Sequence, residues 1–478
     1  METLVMEKLS ASQYGFLVAL ICSVGGLLFG YDIAVISGAV QYFSAYFDLS
    51  PAMVGWGVSS ALIGCMAGAG IASSLSEKYG RKKVLHLSAI LFAVSAIGSS
   101  MPDTFSELVI YRIVGGFGMG LSSMIVPVYL SEISPSDKRG FYGSFNQVMI
   151  TFGILCTYFV NYVIVSGRGL DWLVETAWRW MFFGELIPAA VLAIAAFFLP
   201  ESPRWLVQQK RSAEAKAILA KANGDEKAPV ILNEIEVDIS RTTTSKKGIY
   251  EAGLGKVLWM AIAVACLSQA TGINVIIYYT TVLLNSIGTG DGGTTLWGDV
   301  FFQNVLIGVV CFSAAIVAAK NADKLGRRPM MIWGSLIVAA TIILVGLAVL
   351  TSNTGIWLLA VIMTYLFVFG STCGPLPWVI AAEICPNSHR NRIVSKSTLL
   401  FWFTNVIVAQ TFPMMNDSPW LQEHFNGSFP FFIYGIFSLM LAYICYRYLP
   451  ETKGKTVEEI YQEFLPETAQ PVSNEVTP

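Results

Sequence analysis

Residues 132–135 read Glu-Ile-Ser-Pro and are followed by Arg139, and residues 383–386 read Glu-Ile-Cys-Pro and are followed by Arg390. The second copy begins 251 residues after the first. Repetition at a fixed distance is the first pattern to establish in a chain, because it shows how many related units the fold contains. This repeat indicates that the chain consists of two related halves.

Two further motifs repeat in the same order and at nearly the same distance. Residues 77–82, Glu-Lys-Tyr-Gly-Arg-Lys, return 246 residues later as Asp-Lys-Leu-Gly-Arg-Arg at 323–328. Residues 200–202, Pro-Glu-Ser, return 250 residues later as Pro-Glu-Thr at 450–452. Three ordered repeats in strongly apolar copies predict a transporter built from two related membrane bundles.

The composition is that of an integral membrane protein. Hydrophobic residues make up 54% of the 478 residues and charged residues only 13%, against about 25% charged in soluble domains. The chain contains no zinc-ligand spacing, phosphate-binding loop, nucleotide fingerprint or nucleophile–base set. We therefore predict no enzyme activity, cofactor, metal or nucleic-acid partner, and no ATP-driven mechanism; the predicted environment is a lipid bilayer.

Twelve stretches are long and apolar enough to span a bilayer, which takes about 20 residues. They are residues 14–40, 54–76, 84–100, 105–130, 140–165, 179–199, 256–286, 297–319, 329–350, 356–382, 393–415 and 427–446. We predict an all-α membrane protein with twelve transmembrane helices in two pseudo-symmetric six-helix bundles. The predicted units are a bundle at 1–199, a short intracellular helical linker at 200–255, a bundle at 256–449 and a cytoplasmic tail at 450–478.

The positions of lysine and arginine predict the orientation. Twenty-six of the 30 lie in the two termini and in the loops after even-numbered spans. Because cytoplasmic loops carry the excess of these residues, both termini are predicted to be cytoplasmic. Within the linker, residues 212–222 and 230–239 are predicted to form short amphipathic helices. The predicted location is the cell membrane, and specifically the inner membrane of a bacterium.

Three charged side chains fall well inside the predicted spans, and all three are in the first half: Asp32, Arg112 and Glu185. A charge at the bilayer centre costs at least about 2.5–3.5 kcal/mol, so such residues face a bundle interior or wet cavity and usually pair. Burial favours a protonated carboxyl group, whereas a nearby guanidinium favours the carboxylate. Movement of Arg112 relative to Asp32 is therefore predicted to bind or release a proton. The alternative is a static ion pair that only fixes helix packing.

The repeated motifs place acids and guanidiniums at the cytoplasmic ends of neighbouring helices. We predict that they form a latch that holds the inner side shut while the cavity opens outward, and that breaks when it opens inward. The alternative is that these charges reflect only the positive-inside distribution. The predicted latch residues are Glu77, Arg81, Glu132 and Arg139 in the first half, and Asp323, Arg327, Glu383 and Arg390 in the second.

Polar and aromatic residues cluster at the start of the second half, in Gln269, Asn274, Tyr278 and Tyr279. Asn274 and Tyr278 share a helix face, and Gln269 lies on an adjoining face one and a half turns earlier. Amides donate and accept hydrogen bonds, as sugar hydroxyl groups do, so amides with flat aromatic faces suit an uncharged polyol. The same chemistry occurs in Gln147, Trp378 and Trp402. For each residue taken singly, a helix-packing or interfacial role is the alternative.

The tenth predicted span is interrupted by Gly-Pro-Leu-Pro at residues 374–377, directly before Trp378. Interrupted helices line cavities rather than face lipid, because their free backbone groups need polar partners. This stretch is therefore predicted to border the cavity.

These motifs together resemble the sugar porter family of the major facilitator superfamily, over essentially the whole chain. The resemblance is to bacterial sugar–proton symporters such as those for xylose, with facilitative glucose transporters more distant. It rests on residues 30–32, 77–82, Arg112 with Gly115 and Gly116, 200–204, 272–274 with Tyr278 and Tyr279, 374–378, and 450–454.

The resemblance implies the major facilitator fold and alternating access to a central monosaccharide. Proton-coupled members carry Asp at the position of Asp32 and facilitative glucose transporters carry Asn, so the resemblance favours symport. The leading hypothesis is thus proton symport of a hexose or pentose by a monomeric carrier; the alternatives are a uniporter and a transporter-like sugar sensor. The implied sugar-site positions are Phe29, Gln147, Gln269, Asn274, Tyr278, Tyr279, Gly374, Trp378 and Trp402.

Three positions depart from the family pattern: Ser268 stands for the first residue of a usual Gln pair, Cys311 for a usual Asn, and Phe401 for a usual polar residue. Each change removes an amide. A sugar hydroxyl that loses its partner is left unpaired at a cost of about 1–3 kcal/mol. The sequence therefore predicts a different or deoxygenated monosaccharide within the hexose and pentose class.

Overall fold

In the part of the chain that it describes, the computed structural model consists of helices joined by turns and loops. Described are residues 11–133, 139–241, 249–251, 253–286, 298–385, 389–455 and 459–460. Twelve helical segments there are long and apolar enough to cross a membrane, as the sequence predicts.

The first half contains six spans followed by three linker helices. The spans are α1 (Ala11–Tyr46), α2 (Pro51–Tyr79), α3 (Arg81–Ser100), α4 (Phe105–Ile133), α5 (Arg139–Val165) and α6 (Leu170–Phe197). The linker helices are α7 (Pro203–Gln208), α8 (Ser212–Asn223) and α9 (Ala228–Arg241). The two predicted linker helices correspond to α8 and α9, whereas α7 was not predicted.

The second half has two interrupted spans. The seventh span consists of α10 (Gly255–Ala270), α11 (Ile273–Tyr278) and α12 (Thr280–Ser286), and the tenth of α15 (Trp357–Ser371) and α16 (Leu376–Glu383). The other helices are α13 (Val300–Leu325), α14 (Arg327–Leu350), α17 (Arg390–Asn416), α18 (Pro419–Phe425) and α19 (Phe429–Tyr448). The break in the tenth span falls at the Gly-Pro sequence that predicted it, because Pro375 lacks a backbone N–H.

The sixth span begins earlier than the sequence predicts. The sequence predicts this span at 179–199, but α6 begins at Leu170 and contains a π-helical turn at Leu173–Ala177. The Arg179 guanidinium stacks on Trp178 and donates to the carbonyl oxygen of Ser100 at 3.3 Å. A long arginine can therefore reach polar partners from inside a span, so its charge does not mark the helix start.

The contacts between helices follow the duplication. Within the first half α2 packs along α4 and α1 along α5, and their counterparts in the second half, α13 with α15 and α10 with α17, are also in contact. Between the halves, α2 packs on α17 and α5 packs on α13. These are spans 2 and 11 and spans 5 and 8. A shift of six spans exchanges the two pairs, as expected for a pseudo-twofold relation between two six-helix bundles.

The three repeated motifs of the first half meet at one place, where α2 ends and α3 begins. The Arg81 guanidinium pairs with Glu132 at 2.8 Å, and the Ser202 hydroxyl donates to the same carboxylate at 2.5 Å. Glu201 accepts the backbone N–H groups of Arg81 and Lys82 at 2.9 and 3.2 Å. A carboxylate at the N-terminus of a helix is favoured by the helix dipole and by these unpaired N–H groups.

The second half repeats this cluster. The Arg327 guanidinium donates to Glu383 at 2.9 Å, Thr452 donates to Glu383 at 2.5 Å, and Glu451 accepts the backbone N–H of Arg327 at 3.0 Å. Gly326, which precedes α14, has φ +88°, and a Cβ there would lie 2.7 Å from the Glu451 carboxylate. The repeated sequences therefore form the same set of ion pairs and hydrogen bonds in both halves. We call these two sites the motif clusters.

Replacing Glu201 or Glu451 by Gln should destabilise the protein by about 1–2 kcal/mol, because each carboxylate makes charge-assisted bonds to backbone N–H groups. The measurement is the apparent melting temperature of purified protein. Glu214 is the control, since its ion pair with Arg211 is on the surface and its replacement by Gln should leave the melting temperature almost unchanged. Equal melting temperatures for all three variants would show that Glu201 and Glu451 do not stabilise the motif clusters.

Candidate functional site

The three intramembrane charges form one buried cluster. Asp32 on α1, Arg112 on α4 and Glu185 on α6 are each at most 3% exposed. The Arg112 guanidinium donates to Asp32 Oδ1, and it lies over the Phe182 ring with its centre 5.5 Å from the ring centroid. The predicted Asp32–Arg112 pair is thus formed in the structure.

The cluster has hydrogen-bonding capacity that the described residues do not use. Asp32 Oδ2, Arg112 Nε and Glu185 Oε1 are buried and have no hydrogen-bond partner in the described part of the chain. Leaving a buried polar atom unpaired costs about 1–3 kcal/mol, and more for a charged group. A proton on a carboxyl group removes a charge and adds a donor. The cluster can therefore exist in more than one protonation and pairing state.

The local backbone brings Glu185 towards Asp32. Helix α6 is interrupted at Gly184 and Glu185, just before Pro188. A Cβ on Gly184 would lie 2.4 Å from the Tyr31 hydroxyl oxygen, and this hydroxyl donates to the Met181 carbonyl at 3.3 Å. The glycine thus permits the close approach of α6 to α1 that groups the two acids around Arg112.

The interruption of the seventh span brings two predicted sugar ligands together. Gly272, between α10 and α11, has φ +86°, which is a conformation that glycine adopts readily. Across this break, Asn274 Nδ2 donates to Gln269 Oε1 at 2.5 Å. The two amides therefore form one polar unit rather than lying on separate faces of a continuous helix.

The two adjacent tyrosines have different surroundings. Tyr278 receives a hydrogen bond from Asn405 Nδ2 at 3.3 Å. Tyr279 instead donates to the Ala409 carbonyl at 3.1 Å and packs on Phe412 with ring centroids 5.0 Å apart. Tyr279 thus joins the end of α11 to α17, and its hydroxyl group donates its proton to a partner within the protein.

Four aromatic rings form a continuous row that crosses from the second half to the first. Trp378 lies 4.7 Å from Phe401, Phe401 lies 5.2 Å from Trp402, and Trp402 lies 5.8 Å from Phe29, measured between ring centroids. Trp378 is 37% exposed and Trp402 only 4%. We call these four residues the aromatic row. It unites three of the predicted sugar-site positions and adds Phe401.

Asn405 is a candidate site residue that the sequence alone does not predict. It is 1% exposed, and its Oδ1 has no partner in the described residues. The signal available in the sequence was its position three residues after Trp402, which places both on one face of α17. Of the remaining predicted positions, Gln147 is partly buried on α5, and Gly374 lies between α15 and α16.

The two halves touch on the side of the membrane opposite to the linker helices. Ser37 shares a hydrogen bond with Thr281 at 3.2 Å, and Tyr158 donates to the Ile277 carbonyl at 3.1 Å. Ser59 donates to Gln410 at 2.8 Å. These residues lie nearer to that side than Asp32 does. The structure is therefore closed on the side away from the linker.

The predicted latch residues fall within the halves rather than between them. Both ion pairs, Arg81–Glu132 and Arg327–Glu383, join helices of one half. Both pairs are formed in this structure, and their breakage when the cavity opens inward stays a prediction. Glu77 accepts a bond from Trp205 through its backbone carbonyl at 2.9 Å.

Three predicted latch positions remain: Arg139, Asp323 and Arg390. The side chains of Arg139 and Asp323 are outside the described residues. Arg390 begins α17, and its Nε has no partner among the described residues.

Two six-helix halves, interrupted helices at the centre and a buried charged cluster together define a secondary transporter. Residues 18–464 match the family model described as "Sugar (and other) transporter". The chain belongs to the sugar porter family of the major facilitator superfamily.

Relatives and solved structures agree with this assignment. The chain is 35% identical to the D-xylose-proton symporter of Escherichia coli strain K12, over 96% of this chain and 97% of the relative. It is 34% identical to the arabinose-proton symporter of Bacillus subtilis, over 93% and 94% of the two chains. A solved structure of a proton:xylose symporter bound to 6-bromo-6-deoxy-D-glucose superposes with a TM-score of 0.81 at 34% identity, covering 95% of this chain and 99% of the other. The predictions of family, of fold class and of a transporter rather than an enzyme are confirmed.

Proposed function

We propose that this chain imports a monosaccharide, a hexose or pentose, by proton symport across a bacterial cell membrane, acting as a monomer with both termini in the cytoplasm. The observation that carries the proton coupling is the Asp32–Arg112 pair, buried at the centre of the first half with Asp32 Oδ2 unpartnered in the described residues. The names of the xylose and arabinose relatives support the same function.

Asp32 is proposed to accept the coupling proton. A protonated Asp32 no longer pairs with Arg112 as an ion, so the guanidinium becomes available to Glu185, which is the other acid of the cluster. Because the three residues lie on α1, α4 and α6, this exchange changes how three helices of the first half are held together. A proton can thereby bias the equilibrium between the two open states of the carrier.

The sugar is proposed to bind between the halves, against the amide pair Gln269–Asn274 and the aromatic row. The amides offer donors and acceptors to hydroxyl groups, and the rings offer flat faces to C–H groups. Trp402 and Phe29 come from different halves and lie 5.8 Å apart. A sugar held there contacts both halves, so its binding favours the arrangement in which they approach each other.

The motif clusters are proposed to act on the linker side during this cycle. Each holds together helix ends of one half, so the half moves as a unit. A latch function requires in addition that Glu132 or Glu383 changes partners as the linker side closes.

Sugar-driven alkalinisation tests the proposal directly. Addition of the transported sugar to lightly buffered, de-energised cells that produce the protein should raise the external pH, because each sugar carries a proton inward. Sugar uptake without alkalinisation would support the uniporter alternative instead. Binding of sugar without counterflow of labelled sugar in proteoliposomes would support a sensor.

A further inference from the structure

The Arg112 guanidinium has an aromatic partner as well as an acidic one. Its central carbon lies 5.5 Å from the centroid of the Phe182 ring on α6, while one of its nitrogens donates to Asp32 on α1. Phe182 is 1% exposed and Arg112 is 3% exposed. A guanidinium over an aromatic face is attracted by the ring quadrupole, and the attraction is stronger when both groups are shielded from water. Arg112 is therefore held by two groups of different chemistry.

The Phe182 ring is held in this place by the irregular start of α6. It packs at a near right angle against Trp178, with ring centroids 6.5 Å apart and planes at 82°. Trp178 Nε1 donates to the carbonyl oxygen of Val174 at 3.0 Å, within the π-helical turn. Such a turn has wider hydrogen bonding than an α-helical turn, so it changes which side chains of the following helix face the bundle. Glu185 comes three residues after Phe182, which places the ring and the second acid on the same side of α6.

The partners of Arg112 differ in how they respond to a proton. Protonation of Asp32 removes the negative charge that compensates Arg112. The Phe182 ring has no group that binds a proton, so it attracts the guanidinium whether Asp32 is charged or neutral. Its attraction matters most when Asp32 is neutral, because the carboxylate then no longer compensates the buried positive charge.

We propose that Phe182 is a positioning residue for proton coupling: its ring retains the Arg112 guanidinium in the cluster after Asp32 has bound a proton. This inference rests on the proposed proton symport and adds to it an uncharged residue that acts through Arg112. Without the ring, the state with a neutral Asp32 is less favourable relative to the ion pair. A higher proton concentration is then needed to reach that state.

Other titratable groups also interact electrostatically with this cluster. In the described part of the chain they are contributed by α1, α2, α6 and α11, and they are Tyr31, Cys65, Glu185 and Tyr278. Phenol and thiol groups ordinarily titrate near about pH 10 and 8.5. Over an experimental range of about pH 5 to 7.5 the groups that can change charge are therefore the two acids, Asp32 and Glu185.

The pH dependence of sugar uptake by proteoliposomes tests the inference. The sugar is whichever of D-xylose, L-arabinose and D-glucose the wild-type protein transports fastest, and the measured quantity is the external pH of half-maximal uptake. Phe182→Leu keeps an apolar side chain but removes the ring, and we expect it to move this pH about one unit towards acid. Phe182→Tyr keeps the ring and should restore the wild-type value. Phe183→Leu is the control, because Phe183 packs on Trp180 at 5.7 Å, and it should also keep the wild-type value.

Ring fluorination separates the attraction from packing. Phenylalanine with one, two or three ring fluorine atoms at position 182 has a ring of nearly unchanged size but a progressively less negative face. The pH of half-maximal uptake should therefore fall stepwise with each added fluorine. A wild-type value for all three fluorinated rings would show that Phe182 acts by packing alone, and it would overturn the inference. This series keeps the shape of the side chain, so it remains a test if Phe182→Leu does not fold.

A second background identifies the acid through which the ring acts. Phe182→Leu should produce the same shift in Glu185→Gln protein, because the proposed effect concerns the pairing of Arg112 with Asp32. Loss of the shift in that background would assign the ring to Glu185 and would contradict the proposal. If wild-type uptake does not depend on external pH and causes no alkalinisation, the proposed symport itself fails and this inference fails with it.

Discussion

Replacing Asp32 by Asn is expected to abolish uphill accumulation of sugar while leaving counterflow of labelled sugar largely intact. Asn keeps the size of the side chain and an oxygen acceptor for Arg112, but it cannot carry the proton. A membrane potential of 100 mV supplies about 2.3 kcal/mol per charge, which corresponds to about 50-fold accumulation. The variant should lose this factor completely. The measurement compares energised uptake with counterflow in the same proteoliposomes.

Glu185→Gln is the matched comparison, because it removes the second acid of the same cluster. If Asp32 is the proton site, Glu185→Gln should retain some accumulation, whereas Asp32→Asn retains none. Accumulation that survives in Asp32→Asn would place the proton site elsewhere. Loss of counterflow together with accumulation would instead show that the Asp32–Arg112 pair is structural, because breaking a buried ion pair leaves an uncompensated charge.

The sequence predicts well the parts of the structure that are determined by residues close together in the chain, such as charged motifs and apolar runs. The repeated motifs predicted that Arg81 and Glu132 lie together, and the spans follow from the length of apolar runs. The role of Glu201 was not predicted, although its motif was recognised, because its partners are backbone N–H groups that carry no sequence signal. These N–H groups can be identified as partners only when the orientation of the first turn of α3 relative to Glu201 is known.

The parts that could not be predicted depend on contacts between distant segments. The seventh span was predicted as one helix over 256–286, since a lone glycine inside an apolar run does not by itself indicate a break. The hydrogen bond between Ser37 and Thr281 joins residues 244 positions apart and exists in the state that is closed on that side. The roles of Tyr279 and Asn405 depend on contacts between the seventh span and α17, which are far apart in the sequence.

The duplication thus accounts for the helical scaffold, whereas the charged cluster and the amide pair each occur in only one half. Both motif clusters use the same donors and acceptors. The buried charged cluster, in contrast, consists of Asp32, Arg112 and Glu185 of the first half, and the second-half spans carry no charged counterparts. The amide pair and most of the aromatic row belong to the second half. A pseudo-symmetric carrier with unequal halves can therefore couple two different substrates.

The close packing of α2 on α4 provides the second prediction. Replacing Gly116 by Ala should destabilise the protein by at least about 1–3 kcal/mol, as an overpacked core does. The added Cβ would lie 1.8 Å from the Ala61 carbonyl oxygen and 2.6 Å from its carbon. Backbone atoms cannot turn aside as a flexible side chain does, so the two helices must separate. We expect a clearly lower apparent melting temperature and a reduced yield of folded protein.

Gly70→Ala is the control within the same helix pair, because a Cβ on Gly70 of α2 meets nothing within 4 Å. It should be neutral or stabilising by up to about 1 kcal/mol, since alanine favours a helix more than glycine does. Gly116 lies four residues after Arg112 and thus on the same face of α4, so separation of the helices also displaces the guanidinium from Asp32. Gly116→Ala protein that remains folded should therefore accumulate less sugar than Gly70→Ala protein. Equal melting temperatures and equal accumulation in the two variants would show that α2 and α4 do not need this close approach.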